Sequence, residues 1–286
     1  MDKNMSYQNK RERNVEVFND TVNVIKNSEK LTKSLEETLK NQKLILANEK
    51  IDNKCNDRPG DAKVVLSKKR TLEAASAYKG KEVCVLNFAS ATNPGGGVTR
   101  GSNAQEECIC RCSDLYLCLN TDEFMDKFYG RHRKACNPIY NDDIIYSPGV
   151  DVIKTDTVAP KLMDEKDWYK VNVLTCAAPN LRSDPSNEMN PGAYDKAVKL
   201  SDEEYVKILE PRVRKIFEVA SSFNNDVLIL GAFGCGAFQN PPHLVAKVFN
   251  KVMQDYIKKF EVIEYAIFCR DFETKNYDEF KNVIKI

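Results

Sequence analysis

The chain has 286 residues, 42% of them apolar, with 43 basic against 42 acidic residues and a net charge of +1. That length and apolar content suit one large domain, or one domain with an extension. The near-neutral balance excludes a global field that would steer the chain to nucleic acid or to a membrane surface, so neither is expected as a partner; a phosphate-bearing ligand has to be gripped locally.

Residues 1–50 contain no Gly, Pro or Cys, and all 12 Gly and 11 Pro come later. The opening segment lacks the apolar core a signal peptide needs, and no stretch approaches the roughly 20 apolar residues of a membrane span. A cytoplasmic location is expected, with the ten cysteines reduced and mostly buried; Cys84, Cys176 and Cys269 all lie in apolar runs. Val15, Phe18, Val22 and Ile25 fall at helical spacing. Leu31, Leu35 and Leu39 predict a second amphipathic helix over 31–48. These define an N-terminal helical extension, residues 1–60, ahead of a main domain over 61–286.

From residue 64 the pattern changes to short β-branched runs between helical stretches. Strands are predicted at Val64–Leu66, Val83–Asn87, Ile144–Tyr146, Val171–Cys176, Val227–Leu230 and Tyr265–Phe268. Helices are predicted near 71–79, 104–119, 202–221, 241–259 and 275–283. Strands apolar throughout are buried on both faces. Their alternation with helices indicates a layered α/β fold with a mostly parallel sheet. Ligands in such sheets gather beyond the strand C-terminal ends. From Arg182 to residue 200 the chain reads as a long polar loop.

Two glycine loops follow predicted strands. The first is Asn93-Pro94-Gly95-Gly96-Gly97, and the second contains Gly231, Gly234 and Gly236 and ends at Phe238. Neither is a dinucleotide fingerprint or a P-loop. Each is either a tight strand-to-helix turn or a backbone cradle for a diphosphate. Phe238 either stacks on a sugar or base, or packs on the next helix.

Gln105-Glu106-Glu107 opens the helix after the first loop. Adjacent helical side chains point about 100° apart, so the two glutamates are not expected to face one atom. They are ordinary helix-start acids, or one is a proton donor and the other a sugar ligand. A helix N-terminus favours a carboxylate anion, whereas a general acid must hold a proton; a bound diphosphate beside it would favour the protonated form. Cys108, Cys110, Cys112 and Cys118 contain no CxxC pair, and His132 and His243 are not at ligand spacing to them. No metal site and no cofactor are expected. With two histidines in the chain and neither beside a candidate nucleophile, a Ser-His-Asp or Cys-His site is not expected either.

The run NFASATNPGGGVTRGSNAQEE resembles the signature of microbial-type poly(ADP-ribose) glycohydrolases: three glycines, a spacer of seven residues, then Gln-Glu-Glu. Arg70–Ala75, Tyr146–Pro148, Ala177–Asn180 and Gly234–Phe238 extend the likeness, over roughly residues 10–270. The resemblance implies a macrodomain-like three-layer α/β/α sandwich with a mixed, mostly parallel sheet. It implies hydrolysis of ribose–ribose O-glycosidic bonds in poly(ADP-ribose), with ADP-ribose as product and no metal. By motif position Glu107 would be the catalytic acid and Glu106 would bind sugar hydroxyls. Asn93, Gly95, Gly96 and Gly97 would line the distal ribose and diphosphate, and Gln105 would be a further substrate-binding residue. Gly234, Cys235, Gly236 and Ala237 would form the diphosphate loop, and Phe238 would position the terminal ribose. Phe233 departs from the loop's commoner form, and no motif places the adenine contact. Action on ADP-ribosylated protein, or binding of ADP-ribose without cleavage, are the alternatives.

Overall fold

A computed structural model of the chain describes residues 2–51, 55–186 and 196–285, with backbone alone for 2–8. Residues 187–195 of the expected polar loop lie outside the described residues. The helices are α1 (Asp2–Asn27), α2 (Glu29–Asn41), α3 (Thr71–Ser76), α4 (Gln105–Cys112), α5 (Leu115–Leu119), α6 (Asp122–Phe124), α7 (Arg131–Ala135), α8 (Asp202–Ser222), α9 (Pro242–Tyr256) and α10 (Lys275–Val283). The strands are β1 (Lys43–Ile45), β2 (Lys63–Ser67), β3 (Val83–Phe88), β4 (Ile144–Val152), β5 (Tyr169–Cys176), β6 (Val227–Leu230) and β7 (Val262–Ala266).

The seven strands form one sheet in the order β1-β4-β5-β3-β6-β7-β2. Strands β2, β3, β5, β6 and β7 run parallel, and β4 is antiparallel to both neighbours. The mixed, mostly parallel sheet follows from strands that are apolar on both faces. Along β3, Cys84 and Leu86 point to one side and Val83 and Val85 to the other. In β6, Leu228 and Leu230 alternate with Val227 and Ile229 in the same way. One face is covered by α8 and α9, through Leu209, Val213, Phe217, Val245 and Phe249. The other is covered by α3, α4 and α5, through Leu72, Ile109, Cys112 and Leu115, with Phe18 of α1. Burying each such side chain contributes about 1.5–3 kcal/mol, so neither layer is dispensable. Helix α8 starts where it does because Ser201 Oγ accepts from Glu204 N–H (3.2 Å) while Glu204 Oε2 accepts from Ser201 N–H (2.8 Å).

Three differences from the sequence expectations have identifiable causes. The predicted helix over 31–48 stops at Asn41, and Lys43–Ile45 pairs antiparallel with Ile144–Tyr146, extending the sheet. The last strand begins at Val262, earlier than the apolar run Tyr265–Phe268 suggests. Its buried Glu264 accepts from Ser67 Oγ and Tyr78 Oη, both at 2.6 Å, which makes an acid tolerable in a core strand. Strand β4 continues past Pro148-Gly149 through a register shift between Ser147 and Val150.

Candidate functional site

A cleft opens at the C-terminal ends of the parallel strands. It is lined by Lys69 and Arg70 after β2, by Phe88 at the end of β3 and Ala89 beyond it, and by Ala178 after β5. The loop after β6 and Ala266–Phe268, which runs out of the end of β7, line it as well. Every parallel strand therefore contributes to one concavity, as expected for this sheet type. Of the expected site residues, Gln105, Gly234, Gly236, Ala237 and Phe238 line the cleft. Glu106, Glu107, Asn93, Gly95, Gly96 and Gly97 form a hydrogen-bonded cluster adjoining it, next in sequence to Gln105 and on the loop after Ala89.

That cluster follows from its local sequence. Pro94 takes the second position of a turn closed by Gly96 N–H to Asn93 O (2.9 Å), and Gly95 takes the third at φ +66°. A fixed proline φ followed by a residue able to hold positive φ is the chemistry such a turn requires. Asn93 Nδ2 donates to Gly96 O, and the Arg133 guanidinium donates to Asn93 Oδ1 (3.4 Å) and Thr92 O (2.6 Å). The Asn93 side chain thus closes its own loop. Gln105 ties the loop's origin to the helix: its Oε1 accepts from Phe88 N–H (2.8 Å), and its Nε2 donates to Leu86 O (2.7 Å) and Thr71 Oγ1 (3.0 Å).

Both glutamates are buried. Glu106 Oε2 accepts from Ser90 N–H (2.7 Å) and its Oε1 from Asn87 Nδ2 (3.2 Å). Glu107 Oε1 accepts from Gly97 N–H (2.9 Å) and its Oε2 from Ala104 N–H (2.7 Å). A Cβ placed on Gly96 would sit 2.5 Å from Glu107 Oε1 and 3.1 Å from Glu106 Oε2. The two carboxylates therefore approach one point, contrary to the expectation from their 100° offset. Each reaches back to a different backbone N–H of the preceding loop, and that anchoring overrides the helical angle. Gly96, at φ +59°, is needed because any side chain there would strike the carboxylates. Burial pushes the Glu106 carboxyl well above the usual carboxylate range; the Ser90 N–H opposes this and the neighbouring Glu107 charge adds to it.

The second glycine loop is stapled by Asn240, which sequence reasoning missed. Asn240 Nδ2 donates to Pro179 O (2.7 Å) and Gly234 O (3.1 Å), while its Oδ1 accepts from Tyr205 Oη (2.7 Å). Gly234 has φ +74°, and a Cβ there would meet Ala178 Cβ and Asn240 Nδ2, each at 2.6 Å. Gly236 has open space around it, and Gly236 and Ala237 are exposed. Cys235 does not line the cleft; its Sγ lies 3.6 Å from Phe233 O, and burial raises its thiol. Phe233 is fully buried, edge-on to Phe88 (5.7 Å) and Phe249 (6.4 Å). Phe238 is half-buried and tilted against Tyr140 at 6.1 Å.

Asp156 is a second missed residue. It is buried, lines the cleft beside Arg70 and Cys108, and accepts from Leu72 N–H through Oδ2 (3.1 Å). Its buried Oδ1 has no hydrogen-bond partner. The Arg70 guanidinium stacks 4.0 Å from the ring of Phe268, which also lines the cleft and is exposed. Nothing in the sequence near Asp156 marks it, because its relation to the cleft exists only after β4 crosses the sheet. Cys108, Cys110, Cys112 and Cys118 are buried free thiols raised by burial.

The family model described as "Microbial-type PARG, catalytic domain" matches residues 2–155. The crystal structure of poly(ADP-ribose) glycohydrolase from Thermomonospora curvata is similar, at 26% identity and a TM-score of 0.80, over 95% of this chain and 99% of that one. The same enzyme bound to the inhibitor ADP-HPD gives 25% identity and a TM-score of 0.76 over the same shares. The glycohydrolase of Deinococcus radiodurans in complex with ADP-ribose gives 26% identity and a TM-score of 0.72, over 87% of this chain and 95% of that one. No curated protein matches.

Proposed function

The chain belongs to the microbial-type poly(ADP-ribose) glycohydrolase (PARG) family, glycosidases acting on poly(ADP-ribose), and we propose from that membership which of its residues run the reaction. The enzyme hydrolyses ribose–ribose O-glycosidic bonds and releases ADP-ribose. The observation that supports the site assignment is the pair of buried carboxylates converging over Gly96 beside a cleft that the second glycine loop also lines.

Gly234, Gly236 and Ala237 take the diphosphate on backbone N–H groups, in the loop held by Asn240. The Cys235 N–H is taken by Ala232 O (3.1 Å), so Cys235 shapes the loop without meeting the ligand. Phe238 positions the terminal ribose against the cleft wall. Asn93 and Gly95–Gly97 back the distal ribose. Arg70, Phe268 and the unpartnered Asp156 oxygen receive the adenine end, where a carboxylate can accept from the exocyclic amine.

The bond to be broken is an acetal, and its rupture places positive charge on the distal ribose. Glu107 donates a proton to the departing ribose oxygen as that bond breaks. The substrate's own diphosphate stabilises the oxocarbenium-like centre, while the Glu106 carboxyl holds the sugar hydroxyls. The ionised Glu107 then takes a proton from water as the water adds to the anomeric carbon. General acid–base assistance of this kind supplies about 10²- to 10⁴-fold. The raised Glu106 carboxyl favours a second assignment, in which Glu106 holds the donated proton. Separate Glu→Gln substitutions distinguish the two, since the donor's removal abolishes turnover and the partner's lowers it.

No helix among the described residues is long and apolar enough to cross a membrane. With six buried free thiols, the reducing cytoplasm is the compartment we assign. The substrate assignment is tested by incubating the protein with purified poly(ADP-ribose) and, separately, with mono-ADP-ribosylated protein, and measuring free ADP-ribose. Release from polymer alone is expected. Release from the modified protein alone would move the activity to protein-linked ADP-ribose, and release from neither would leave an ADP-ribose-binding domain.

A further inference from the structure

The family signature does not say what the N-terminal helix is for. We propose that α1 positions the catalytic loop by holding both of its ends. At the loop's far end, Asn14 Nδ2 donates to Gly101 O (2.9 Å) and Arg11 Nε donates to Arg100 O (2.9 Å). Asn14 is buried there. Gly101 adopts φ +74°, and a Cβ on it would press into the Arg11 backbone, 2.7 Å from Arg11 C. Helix and loop therefore touch backbone to backbone, and only glycine permits that approach. At the loop's near end, Phe18 packs edge-on against Tyr116 (4.9 Å). Tyr116 Cδ2 in turn lies 2.8 Å from where a Gly95 Cβ would be.

Between these two contacts run Gly96 and Gly97. Gly97 N–H holds Glu107 Oε1, and Gly96 lies against both carboxylates. The helix thus sets the loop that sets the acid. The chemistry of the contact points the same way. The buried stripe of α1 is Asn14, Phe18, Thr21 and Ile25, a helical repeat in which two of four positions are polar. A helix docked only to cover a core would present apolar residues there. Instead Asn14 bonds Gly101 O and Thr21 Oγ1 bonds Arg111 O (2.6 Å). Lys154 Nζ returns a bond to Val17 O (2.8 Å) and pairs with Asp20 (2.6 Å). Directional bonds fix a register that hydrophobic contact alone does not, and a misplacement of about 1 Å in a catalytic group costs up to about 10²-fold in rate.

The activity readout rests on the glycohydrolase reading, so the native chain is assayed first on purified poly(ADP-ribose). Asn14→Ala is then compared with Ile25→Ala, which empties a buried site on the same helix, in a separate cluster with Leu31 and Ile153. Asn14→Ala is expected to lower kcat about tenfold or more with KM changed less than about threefold. Ile25→Ala is expected to lower the melting temperature while keeping kcat. Amide exchange over Gly96–Ser102 should quicken in Asn14→Ala and stay native-like in Ile25→Ala. If Asn14→Ala does not fold, Arg11→Ala, at the half-buried end of the same contact, takes its place. Native turnover with undiminished kcat in Asn14→Ala would overturn the positioning role. No turnover by the native chain would refute the functional reading instead, and the exchange comparison would then decide the positioning role: unchanged exchange over the loop overturns it.

Discussion

At the scale of single residues the site is governed by what each buried polar atom can find. Glu106 holds its proton more tightly folded than unfolded, because burial disfavours its charge. Stability linked to this group is therefore fully present below the unfolded value of 4.5 and is lost as pH rises through the higher folded value. Glu106→Gln removes that titration. Its amide can still accept from Ser90 N–H, and Asn87, whose Oδ1 has no partner, can turn its amide to accept from the new one. Glu106→Gln should melt above the native protein at about pH 8, with the gap closing as pH falls toward 4.5. A gap independent of pH would mean that the burial cost lies elsewhere. Asp156 makes a second residue-scale case. Losing a hydrogen bond to a charged group costs about 1.5–3 kcal/mol, so Asp156→Ala should weaken ADP-ribose binding about tenfold or more by calorimetry. Unchanged affinity would remove Asp156 from the adenine end. The sequence marks Glu106 and Glu107 through local motif chemistry, and it is silent on Asp156 and Asn240. Their partners, Leu72, Pro179 and Tyr205, are far away in the chain.

At the scale of elements, the readable features were those set by short-range patterning. Strand β6 and helix α10 fall where their apolar spacing and flanking residues place them. The errors lie where a distant partner decides. Lys43–Ile45 becomes a strand because β4 offers it an edge, and Glu264 enters β7 because Ser67 and Tyr78 reach it. The glycine loop shows the same division. Its turn is written in Asn93-Pro94-Gly95, but the reason for Gly96 is not, since that reason is the pair of carboxylates folded back over it. From the sequence, Gly96 serves the approach of a diphosphate; in the structure a side chain there would dislodge the acids first. Gly96→Ala should therefore lower kcat on poly(ADP-ribose) about 10²-fold, the cost of moving a catalytic group by about 1 Å. Activity within a few-fold of native would show that Glu107 tolerates displacement and that the loop serves another purpose. The segment we assign as the N-terminal extension, residues 1–60, belongs to this scale as well, since its helix α1 docks on the loop and its strand β1 on the sheet edge.

At the scale of the whole molecule, one sheet carries two tasks. Its faces bury two apolar layers, and the C-terminal ends of its five parallel strands converge on a single cleft. That architecture was legible from strands apolar on both faces alternating with helices. The activity was not legible from the architecture, because a sheet of this kind serves many reactions. The residues themselves carried the functional reading: a triple glycine, seven residues, and Gln-Glu-Glu at a helix start. We propose Glu107 as the proton donor of this glycosidase. The most direct measurement is the release of free ADP-ribose from purified poly(ADP-ribose) by the native protein and by Glu107→Gln, Glu106→Gln being assayed in parallel. ADP-ribose affinity is measured on all three proteins. Turnover is expected to fall by about 10²- to 10⁴-fold in Glu107→Gln with ADP-ribose still bound, and by less in Glu106→Gln. Near-native release by Glu107→Gln, or a loss confined to Glu106→Gln, would contradict that assignment.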